Sequence, residues 1–590
     1  MRRALPLALV ALAAGSAPAL GQGPVEALPP PKPPSVVQVA PGIGYQREVQ
    51  DSGQVVHVVR AGPSPRIGLA PALAAGSPVR RGPLTDAVGA RLNSGVVAGM
   101  NGDFFSYDTN SPSGVLLIGG DLIHEPEGSR PALVMPSTGV LASARLVLQG
   151  RFQAVDPTGV RRFAIRAFGG INRPPLRGSE TILYTPAFGA TTPASGSVYE
   201  VSVRLDQPGL LTPNLPRTGI VVAAAQGGGM AIAPGNVVLA GIGSSGPPLV
   251  AEFPLGQPVA LTPGLLGLPP DALNAIGGGP ALVSGGAAVP RPSGYTSSQL
   301  DAHTSRSAVG QTAQGSLLLV TAEGPSQGSP GLTAADQAGL MASLGAQTAF
   351  AMDAGGSAQL AIGTDLVIPW SSPRSLSDVV LLSYSGVTLQ PLPFRLSANG
   401  DHVDDRATEV VRSPAPGVAT VTIAKRTGRP TKRLWQGRLG PGAVKVNVDP
   451  KRLRLGDGVY VVVARFAPDD NSGETEQRRR VIFDRTLSAL TARPSVSGAG
   501  RRARARLAVG FRLLRPARVT VRVLSASGAM LATLARNRLT RPGRTTIAWD
   551  RRRGRSIVSG AVQVTVEARS RFGTSGLVRS VTMKPPPRRP

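Results

Sequence analysis

The 590-residue sequence predicts a strand-rich α+β domain followed by two all-β domains. From residue 36 to residue 385, short apolar runs alternate with clusters of Gly, Pro, Asn and Asp, a pattern typical of short strands joined by turns. Residues 386–590 show strands with alternating apolar and polar positions and no helix signals, and this pattern occurs twice. The sequence therefore favours sheets over helices in all three domains.

Strands in the first domain are predicted at Val96–Met100 and at Gly315–Thr321, where apolar and small residues run between turn signals. A third strand, Phe350–Met352, carries Asp353 at its end. These strands bring polar residues to their ends, where side chains from different strands can meet.

One helix is predicted in the first domain, over Leu332–Leu344. Thr333 caps its N-terminus, with Asp336 three residues later, and Gly345 ends it. Leu340, Met341 and Leu344 share one face, so the helix is expected to pack on a sheet.

The last 205 residues contain an internal repeat with a period near 100 residues. The alternating strand Val418–Ile423 aligns with Arg518–Val523, and Gly428 aligns with Gly528. This spacing predicts two tandem β-sandwiches, over residues 386–490 and 491–590, the second with a basic tail.

The N-terminus predicts an export signal over residues 1–19. Two arginines precede the apolar stretch Ala4–Ala14, and Ala17-Pro18-Ala19 fits a cleavage site after small residues. The stretch is short for a membrane span, and no later run reaches about 18 apolar residues, so no integral membrane span is expected. The proline-rich residues 20–35 predict an exposed linker. The protein has no cysteine, so export would proceed without disulfides.

Charge is distributed very unevenly along the chain. Residues 1–385 carry 22 Lys or Arg against 21 Asp or Glu, whereas residues 386–590 carry 41 against 13. A surface this basic predicts an anionic partner. The basic half has no recognisable nucleic-acid-binding motif and the chain is expected to be exported, so a specific nucleic-acid partner is disfavoured.

Four segments of the first domain combine charged or amide side chains with adjacent small residues. Glycine lets backbone N–H groups approach an anion closely, so together these segments suggest a binding site. Each alone is also typical of an ordinary turn or ion pair. The segments are Asn101-Gly102-Asp103-Phe104-Phe105, Asn274–Pro280, Arg306–Gly310 ahead of a strand that ends at Glu323, and Asp353-Ala354-Gly355-Gly356-Ser357.

In this order, the four segments resemble the phosphodiester glycosidases related to the lysosomal enzyme that uncovers mannose 6-phosphate by removing N-acetylglucosamine. Further supporting segments are Gly120-Asp121-Leu122, Ile171-Asn172-Arg173, Tyr184-Thr185-Pro186 and Ser377-Asp378-Val379. The resemblance spans Gly99 to Asp378 and identifies residues 36–385 as a catalytic domain. It implies hydrolysis of the glycosidic bond of sugar-1-phosphodiesters in glycans or cell-envelope polymers.

The chemistry implied by this resemblance needs stabilisation of an oxocarbenium-like sugar and of the departing phosphate. Asp353 is the expected nucleophile or base, with Glu323 or Asp103 as its carboxylate partner. Arg306 is expected to bind the phosphate through its two-pronged guanidinium. The remaining expected substrate-binding residues are Asn101, Arg173, Gly277, Gly278, Gly279, Gly355, Gly356, Ser357 and His303. No histidine cluster indicates a transition-metal site.

Three positions depart from the family pattern. Ala354 stands where a glycine is usual and would be strained if that position required a positive φ. Glu323 replaces an Asp, and Asp103 replaces a small residue or glycine. The identity of the substrate is therefore left open.

The two C-terminal domains resemble the immunoglobulin-like module of flagellar hook-cap proteins. The second copy supports this through Ala517–Val523, Gly528, Trp549-Asp550 and Gly560, and the first through Asn399-Gly400-Asp401. The resemblance implies a spacer or attachment role, which fits an anionic cell-envelope polymer as partner. Asn399, Asp401, Asp404 and Asp405 are also compatible with a Ca²⁺ site, although a solvated polar turn is the favoured interpretation.

The sequence is compatible with two functions. The leading one is a secreted hydrolase, extracellular or associated with the cell wall. The alternative is a non-catalytic protein that uses the same cleft to bind anionic cell-wall polysaccharide.

Overall fold

The computed structural model describes residues 23–28, 36–128, 130–155, 165–390, 395–426, 430–497, 504–553 and 556–585. The predicted signal peptide and most of the predicted linker lie outside these residues. The chain forms two compact units, which we call the N-terminal unit (residues 35–386 and 413–415) and the C-terminal unit (1–34, 387–412 and 416–590). Strand β1 (Val25–Ala27) belongs to the C-terminal unit despite its position in the sequence.

The N-terminal unit is built mainly of strands, with four α-helices among the described residues. The helices are α1 (Leu84–Gly89), α2 (Gly246–Glu252), α3 (Ser297–Asp301) and α4 (Ala334–Ser343). The strands are β2 (Val37–Ala40), β3 (Ile43–Val49), β4 (Val55–Ala61), β5 (Ile67–Leu73), β6 (Val96–Asn101), β7 (Leu116–Ile118), β8 (Asp121–His124), β9 (Pro131–Pro136), β10 (Ala142–Arg145), β11 (Val147–Ala154), β12 (Ile165–Phe168), β13 (Gly170–Ile171), β14 (Glu180–Tyr184), β15 (Ala194–Leu205), β16 (Arg217–Gly228), β17 (Asn236–Ile242), β18 (Pro258–Leu266), β19 (Ala272–Ile276), β20 (Ala281–Ser284), β21 (Ala287–Ala288), β22 (Arg306–Thr312), β23 (Leu317–Ala322), β24 (Ala346–Ala351), β25 (Leu360–Ile362), β26 (Asp365–Leu366) and β27 (Asp378–Tyr384).

These strands form four sheets. Sheet I has the order β2-β3-β4-β23-β22-β24-β20-β21, and sheet II has the order β26-β25-β6-β27-β5. Sheet III runs β10-β9-β19-β7-β8, and sheet IV runs β12-β11-β18-β16-β15-β17-β14-β13. Nearly all neighbouring strands are antiparallel, with β13 and β14 a parallel pair.

The hydrophobic cores place these sheets in layers. One core joins sheets I, II and III, through side chains such as Phe350, Met100 and Ile276. A second core lies between sheets III and IV, and helices α4 and α1 cover the outer faces of sheets I and II. The central strands β6 and β22 are buried at every residue because they are covered on both faces.

Helix α4 confirms the helix predicted from the sequence. The Thr333 hydroxyl accepts a hydrogen bond from the N–H of Asp336, and the Asp336 side chain accepts one from the N–H of Thr333. Gly345 follows the helix with φ of +85°, which favours glycine. Met341 is fully buried against sheet I.

The C-terminal unit contains two modules, each with one three-stranded and one five-stranded sheet that share a core. The strands of the first module are β28 (Thr388–Leu389), β29 (Arg395–Leu396), β30 (Ala407–Ser413), β31 (Gly417–Lys425), β32 (Pro430–Leu439), β33 (Gly442–Val448), β34 (Gly458–Pro468) and β35 (Thr475–Phe483). Those of the second are β36 (Leu487–Ser497), β37 (Arg504–Leu513), β38 (Ala517–Ser525), β39 (Met530–Thr540), β40 (Gly543–Trp549), β41 (Arg552–Arg553), β42 (Ser556–Ile557), β43 (Gly560–Ser570) and β44 (Gly573–Met583).

The sequence repeat is visible in the topology of these modules. The five-stranded sheets have the orders β29-β35-β34-β31-β32 and β1-β44-β43-β38-β39, so the aligned strands β31 and β38 hold equivalent places. Strand β1, inside the stretch predicted as linker, pairs antiparallel with β44, with Glu26 opposite Val578. Its backbone groups find partners at this sheet edge, which explains why these residues form a strand.

No helix within the described parts of the chain is long and apolar enough to cross a membrane.

Candidate active site

The candidate site lies in the N-terminal unit, where the ends of strands β6, β19 and β24 meet the start of β27. Asn101 ends β6, and its fully buried amide donates a hydrogen bond of 2.8 Å to the carbonyl of Asp353, just after β24. The Asn101 Oδ1 accepts a bond of 3.0 Å from the N–H of Gln359, and the N–H of Asp353 donates to the carbonyl of Gly102 at 3.0 Å. Asn101 therefore joins sheets I and II and positions Asp353, whereas the sequence had predicted a contact with substrate.

A pair of buried carboxylates lies beside this junction. The N–H of Asp103 donates a hydrogen bond of 2.7 Å to Oδ1 of Asp378, which begins β27. A Cβ at Gly102 would lie 2.0 Å from the same Oδ1, so only glycine allows this approach. The carboxylate of Asp103 itself accepts bonds from the N–H groups of Phe104 and Gly114, at 2.7 and 2.6 Å.

The glycines after β19 make room for these groups. A Cβ at Gly277 would lie 2.3 Å from Oδ2 of Asp103, and one at Gly279 would lie 2.5 Å from the hydroxyl of Tyr295. The N–H groups of Gly277 and Gly279 donate to the carbonyls of Val115 and Ala351. Both N–H groups thus have backbone partners and both glycines allow close packing, while their substrate contact stays a prediction. Gly278 also packs closely, because a Cβ at this position would lie 2.8 Å from the carbonyl oxygen of Ala351.

Three carboxyl groups of the site hold protons more tightly than usual. Burial, and next the charge of Asp378, raise the pKa of Asp103 well above its ordinary value. Burial raises the pKa of Asp378 to about 6, and it also raises the pKa of Asp353. Asp103 and Asp378 are 3% and 1% exposed, whereas Asp353 is 8% exposed, so Asp353 is the most accessible of the three.

The charges of two arginines that were not among the sequence-predicted site residues, Arg374 and Arg130, act on Asp353, and Arg130 also lies 3.3 Å from Glu127. Arg374 donates from Nη1 to the Ser357 hydroxyl at 3.0 Å, and Ser357 hydrogen-bonds the Asp353 side chain. The charges of Arg374 and Arg130 both lower the pKa of Asp353, against the larger effect of burial. No motif in the sequence distinguishes these two arginines, because their relation to Asp353 exists only in the folded chain.

The loop after Asp353 explains the predicted glycines. A Cβ at Gly356 would lie 2.8 Å from Nη2 of Arg374, so glycine lets the guanidinium approach the loop. Gly355 has φ of +63°, whereas Ala354 has φ of −115°. The positive φ therefore falls one residue later than anticipated, and Ala354 is unstrained.

Arg306 does not have the geometry predicted for it. Its side chain is buried, its Nε donates to the carbonyl of Leu332 at 2.7 Å, and its Nη2 donates to the carbonyls of Gln299 and Ala302 at 2.6 and 3.0 Å. These carbonyls occupy the prongs that a phosphate would need. Arg306 instead fixes helix α3 and the loop before β22.

Glu323 is also engaged elsewhere. Its Oε1 lies 2.8 Å from Nε2 of His57 on β4, and Nδ1 of His57 lies 2.8 Å from the Tyr45 hydroxyl. Strand β22 separates β23 from β24, which places the backbones near Glu323 and Asp353 about 10 Å apart. The Glu323 side chain reaches in the opposite direction, toward β4, whereas the charge of Asp353 raises the pKa of Asp378.

Arg173 and His303 are the two remaining residues that the sequence predicts to contact substrate. Arg173 is 5% exposed and lies between Glu125 and Glu180, with Nη2 2.8 Å from Oε2 of Glu180. Its guanidinium therefore stabilises the fold through a buried ion-pair network. His303 is exposed, and its Nδ1 lies 3.4 Å from the carbonyl of Gly331.

The loop considered for Ca²⁺ is closed by its own backbone. Oδ1 of Asp405 accepts hydrogen bonds from the N–H groups of Asn399 and Gly400, and Asp401 accepts from Val403 and Ala489. Backbone N–H groups thus take the place that a cation would need. Among the described residues, no group of three or more His, Cys, Asp or Glu is arranged to hold a metal ion.

The family model for phosphodiester glycosidases matches residues 218–382. This segment includes Asp353, Arg374 and Asp378, whereas Asp103 and Arg130 precede it. The resemblance stated from the sequence is therefore confirmed over this segment. A search of curated proteins gives no significant match.

Solved structures similar to this chain are distant from it. A hypothetical protein from Synechocystis is 22% identical with a TM-score of 0.48, over 60% of this chain and 64% of that protein, less than two thirds of its length. A protein from Burkholderia pseudomallei K96243 is 23% identical with a TM-score of 0.45, over 56% and 74%. The catalytic domain of zebrafish N-acetylglucosamine-1-phosphodiester alpha-N-acetylglucosaminidase, auto-inhibited by its pro-peptide, is 14% identical with a TM-score of 0.28, over 62% and 88%.

Proposed function

We propose, from the match of residues 218–382 to the phosphodiester glycosidase family, that the protein hydrolyses the glycosidic bond of sugar-1-phosphodiesters. The observation that carries this proposal is the Asp353 carboxylate, which is hydrogen-bonded to Ser357, itself bonded by Arg374, and acted on by the charges of Arg374 and Arg130. A carboxylate suits the sugar carbon C1, and the guanidinium groups suit the phosphate attached to it.

In the proposed reaction, the bond between C1 and the phosphate oxygen breaks, and its electron pair goes to that oxygen. Asp353 acts at C1 in one of two ways: as nucleophile it forms a glycosyl ester that water then hydrolyses to free the carboxylate, or as base it takes a proton from the water that attacks C1. Arg374 and Arg130 stabilise the negative charge on the departing phosphate monoester. Phosphate is a good leaving group, so the reaction needs little proton donation to the leaving oxygen.

The Asp103 and Asp378 pair supports this site without contacting substrate. Three ionised carboxylates beside a phosphate would repel it, and the raised pKa values keep part of this charge neutral. The N–H of Asp353 is held by the carbonyl of Gly102, so the pair also fixes the loop that carries the reacting group.

The test is an assay of the purified full chain with N-acetylglucosamine 1-(methyl phosphate) and related sugar-1-phosphodiesters, measuring free sugar. We expect Asp353→Asn to lose activity by orders of magnitude with nearly unchanged thermal stability, and the exposed control Asp365→Asn to keep it. Failure of the wild type to release sugar from any sugar-1-phosphodiester, with binding retained, would favour the non-catalytic binder of anionic polysaccharide instead.

We further propose that the two C-terminal modules are immunoglobulin-like sandwiches that hold the exported enzyme on an anionic cell-envelope polymer. Their repeated sheet orders and the excess of 41 basic over 13 acidic residues in residues 386–590 support this role. Attachment to a polymer raises the local concentration of substrate at the catalytic domain.

A further inference from the structure

Beside the Asp353 site, a hairpin-like loop presents an exposed aromatic ring. The loop spans residues 104–113 and is closed by hydrogen bonds from the N–H of Ser106 to the carbonyl of Ser111 and from the N–H of Ser113 to the carbonyl of Phe104. Tyr107 at its tip is 62% exposed. The loop starts directly after Asp103, so the buried acid pair fixes its base.

Two arginines approach the ring of Tyr107. The guanidinium carbon of Arg81 lies 5.1 Å from the ring centroid, and that of Arg374 lies 5.8 Å from it. The segments that carry them are joined by backbone hydrogen bonds between Gly82 and Leu376, at 2.9 and 2.8 Å. The backbone of the fold therefore keeps the segments that carry Arg81 and Arg374 next to each other.

Arg81 is held in place independently of any ligand. Its Nε donates a hydrogen bond of 2.7 Å to Oδ1 of Asn110 in the loop, and its guanidinium lies 4.8 Å from the ring centroid of Phe105. In the described parts of the chain, no carboxylate lies within 4.0 Å of the guanidinium nitrogens of Arg81 or Arg374. Two cations near one ring without a carboxylate partner are arranged to receive an anion.

Resting on the proposed function, we infer that Arg81, Tyr107 and Arg374 bind the leaving-group side of the substrate. We call these three residues the rim. Arg374 links the rim to Asp353 through Ser357. If Arg374 binds the phosphate at the scissile bond, Arg81 is available for a second phosphate. Tyr107, which is 62% exposed, provides an aromatic ring against which a sugar or nucleobase can pack. The preferred substrate is thus a sugar-1-phosphodiester whose leaving group carries a second phosphate and a ring.

Two sources supply this chemistry, a sugar nucleotide and a glycan with repeating phosphodiesters. The experiment measures binding by calorimetry to the full chain carrying Asp353→Asn, so that no turnover is required. The probes are UDP-N-acetylglucosamine, a two-phosphate oligomer of a glycosyl phosphate, and N-acetylglucosamine 1-(methyl phosphate) as the one-phosphate reference.

We expect at least one two-phosphate probe to bind about tenfold or more tightly than the reference. Adding Arg81→Gln or Tyr107→Ala should reduce this preference to about twofold or less, whereas Arg291→Gln, at a residue that is 69% exposed, should leave it intact. If these variants lose the preference for only one of the two-phosphate probes, that probe represents the source that the rim recognises.

A preference that is absent, or that survives both Arg81→Gln and Tyr107→Ala, overturns the inference. This outcome is distinct from failure of the proposed reaction, which would show as no sugar release by the wild type while the binding preference persists.

Discussion

The N–H of Asp103 donates a hydrogen bond of 2.7 Å to the carboxylate of Asp378, although 275 residues separate them in sequence. This bond joins the end of β6 to the start of β27 and places two buried carboxyl groups side by side. The bond itself favours the ionised Asp378, but burial of both carboxyl groups costs stability when they are ionised, and this cost makes the stability of the N-terminal unit depend on pH.

The first prediction follows from the raised pKa values of this pair. The folded state binds more protons than the unfolded state between the ordinary Asp pKa and about 6, so stability falls as pH rises through that window. Asp378→Asn removes one of the titrating groups. The variant should therefore gain stability over the wild type at pH 7 that it does not gain at pH 4, and this difference should be up to about 3 kcal/mol.

The measurement is denaturant unfolding of the full chain followed by Trp370 fluorescence, with Trp435 and Trp549 replaced by Phe. Trp370 then reports on the N-terminal unit alone. Asp365→Asn is the matched control at an exposed carboxylate. An equal effect of Asp378→Asn at both pH values would contradict the assignment of a raised pKa.

The second prediction separates two arginines that the sequence does not distinguish. Arg374→Lys should lower kcat/KM about tenfold or more with little change in Tm, because a point charge cannot replace a planar fork near the phosphate. Arg306→Lys should lower Tm, since a lysine cannot satisfy the carbonyls of Leu332, Gln299 and Ala302 together.

Sugar release and thermal unfolding measured on both variants check this pair. If Arg306→Lys kept its Tm and lost activity, the phosphate-binding role predicted for Arg306 from the sequence would be restored.

The elements of the fold were easier to predict than the contacts of the site. Helix α4 has local signals, with Thr333, Asp336 and Gly345 at its ends, and the repeat of β31 and β38 appears as a spacing of 100 residues. Both depend on residues close in sequence or on a regular period. Such patterns can be recognised in the sequence without knowing how the sheets pack.

The partners within the site depend on how the sheets pack. Arg306 stands in a motif, yet its guanidinium donates to the backbone carbonyls of Gln299, Ala302 and Leu332, in and beside helices α3 and α4. Arg374 and Arg130 carry no motif, and only the meeting of sheets I, II and III brings them to Asp353. Charge and spacing therefore pointed to Asp353, Asp103 and Arg306 as candidates, but could not show that backbone carbonyls bond the Arg306 guanidinium or that the charges of Arg374 and Arg130 act on Asp353.

A third prediction concerns Glu409 in the core of the first C-terminal module. The residue is fully buried, and neither carboxylate oxygen has a hydrogen-bond partner among the described residues. Burial raises the pKa of Glu409 to about 8, with Arg479 acting in the opposite direction. The folded state thus binds the extra proton between pH 4.5 and 8, and stability falls as pH rises through this window.

Glu409→Gln should flatten this pH dependence, which amounts to about 5 kcal/mol at most, and Glu409→Met should also raise stability at pH 7. Unfolding followed by Trp435 fluorescence, with Trp370 and Trp549 replaced by Phe, isolates the module. A wild-type midpoint that stays constant from pH 5 to pH 9 would rule out the buried, protonated Glu409.

The last prediction concerns the basic residues of the second C-terminal module. Arg536, Arg538, Arg541 and Arg544 are all exposed on or beside strands β39 and β40. Such a cluster attracts a polyanion through long-range forces that salt screens, with a Debye length of about 10 Å at 0.1 M. Binding of the full chain to an isolated phosphate-bearing wall polymer should therefore weaken steeply between about 50 and 500 mM NaCl.

Replacing these four arginines with Gln should weaken binding at low salt about tenfold or more and reduce the dependence on salt. The matched control replaces Arg145, Arg151, Arg204 and Arg291, four exposed arginines of the N-terminal unit, and removes the same net charge. If only total charge mattered, both quadruple variants would bind equally weakly. A specific loss in the first variant locates the polymer on the C-terminal unit, and binding that is absent at low salt or unchanged at high salt would refute attachment by charge.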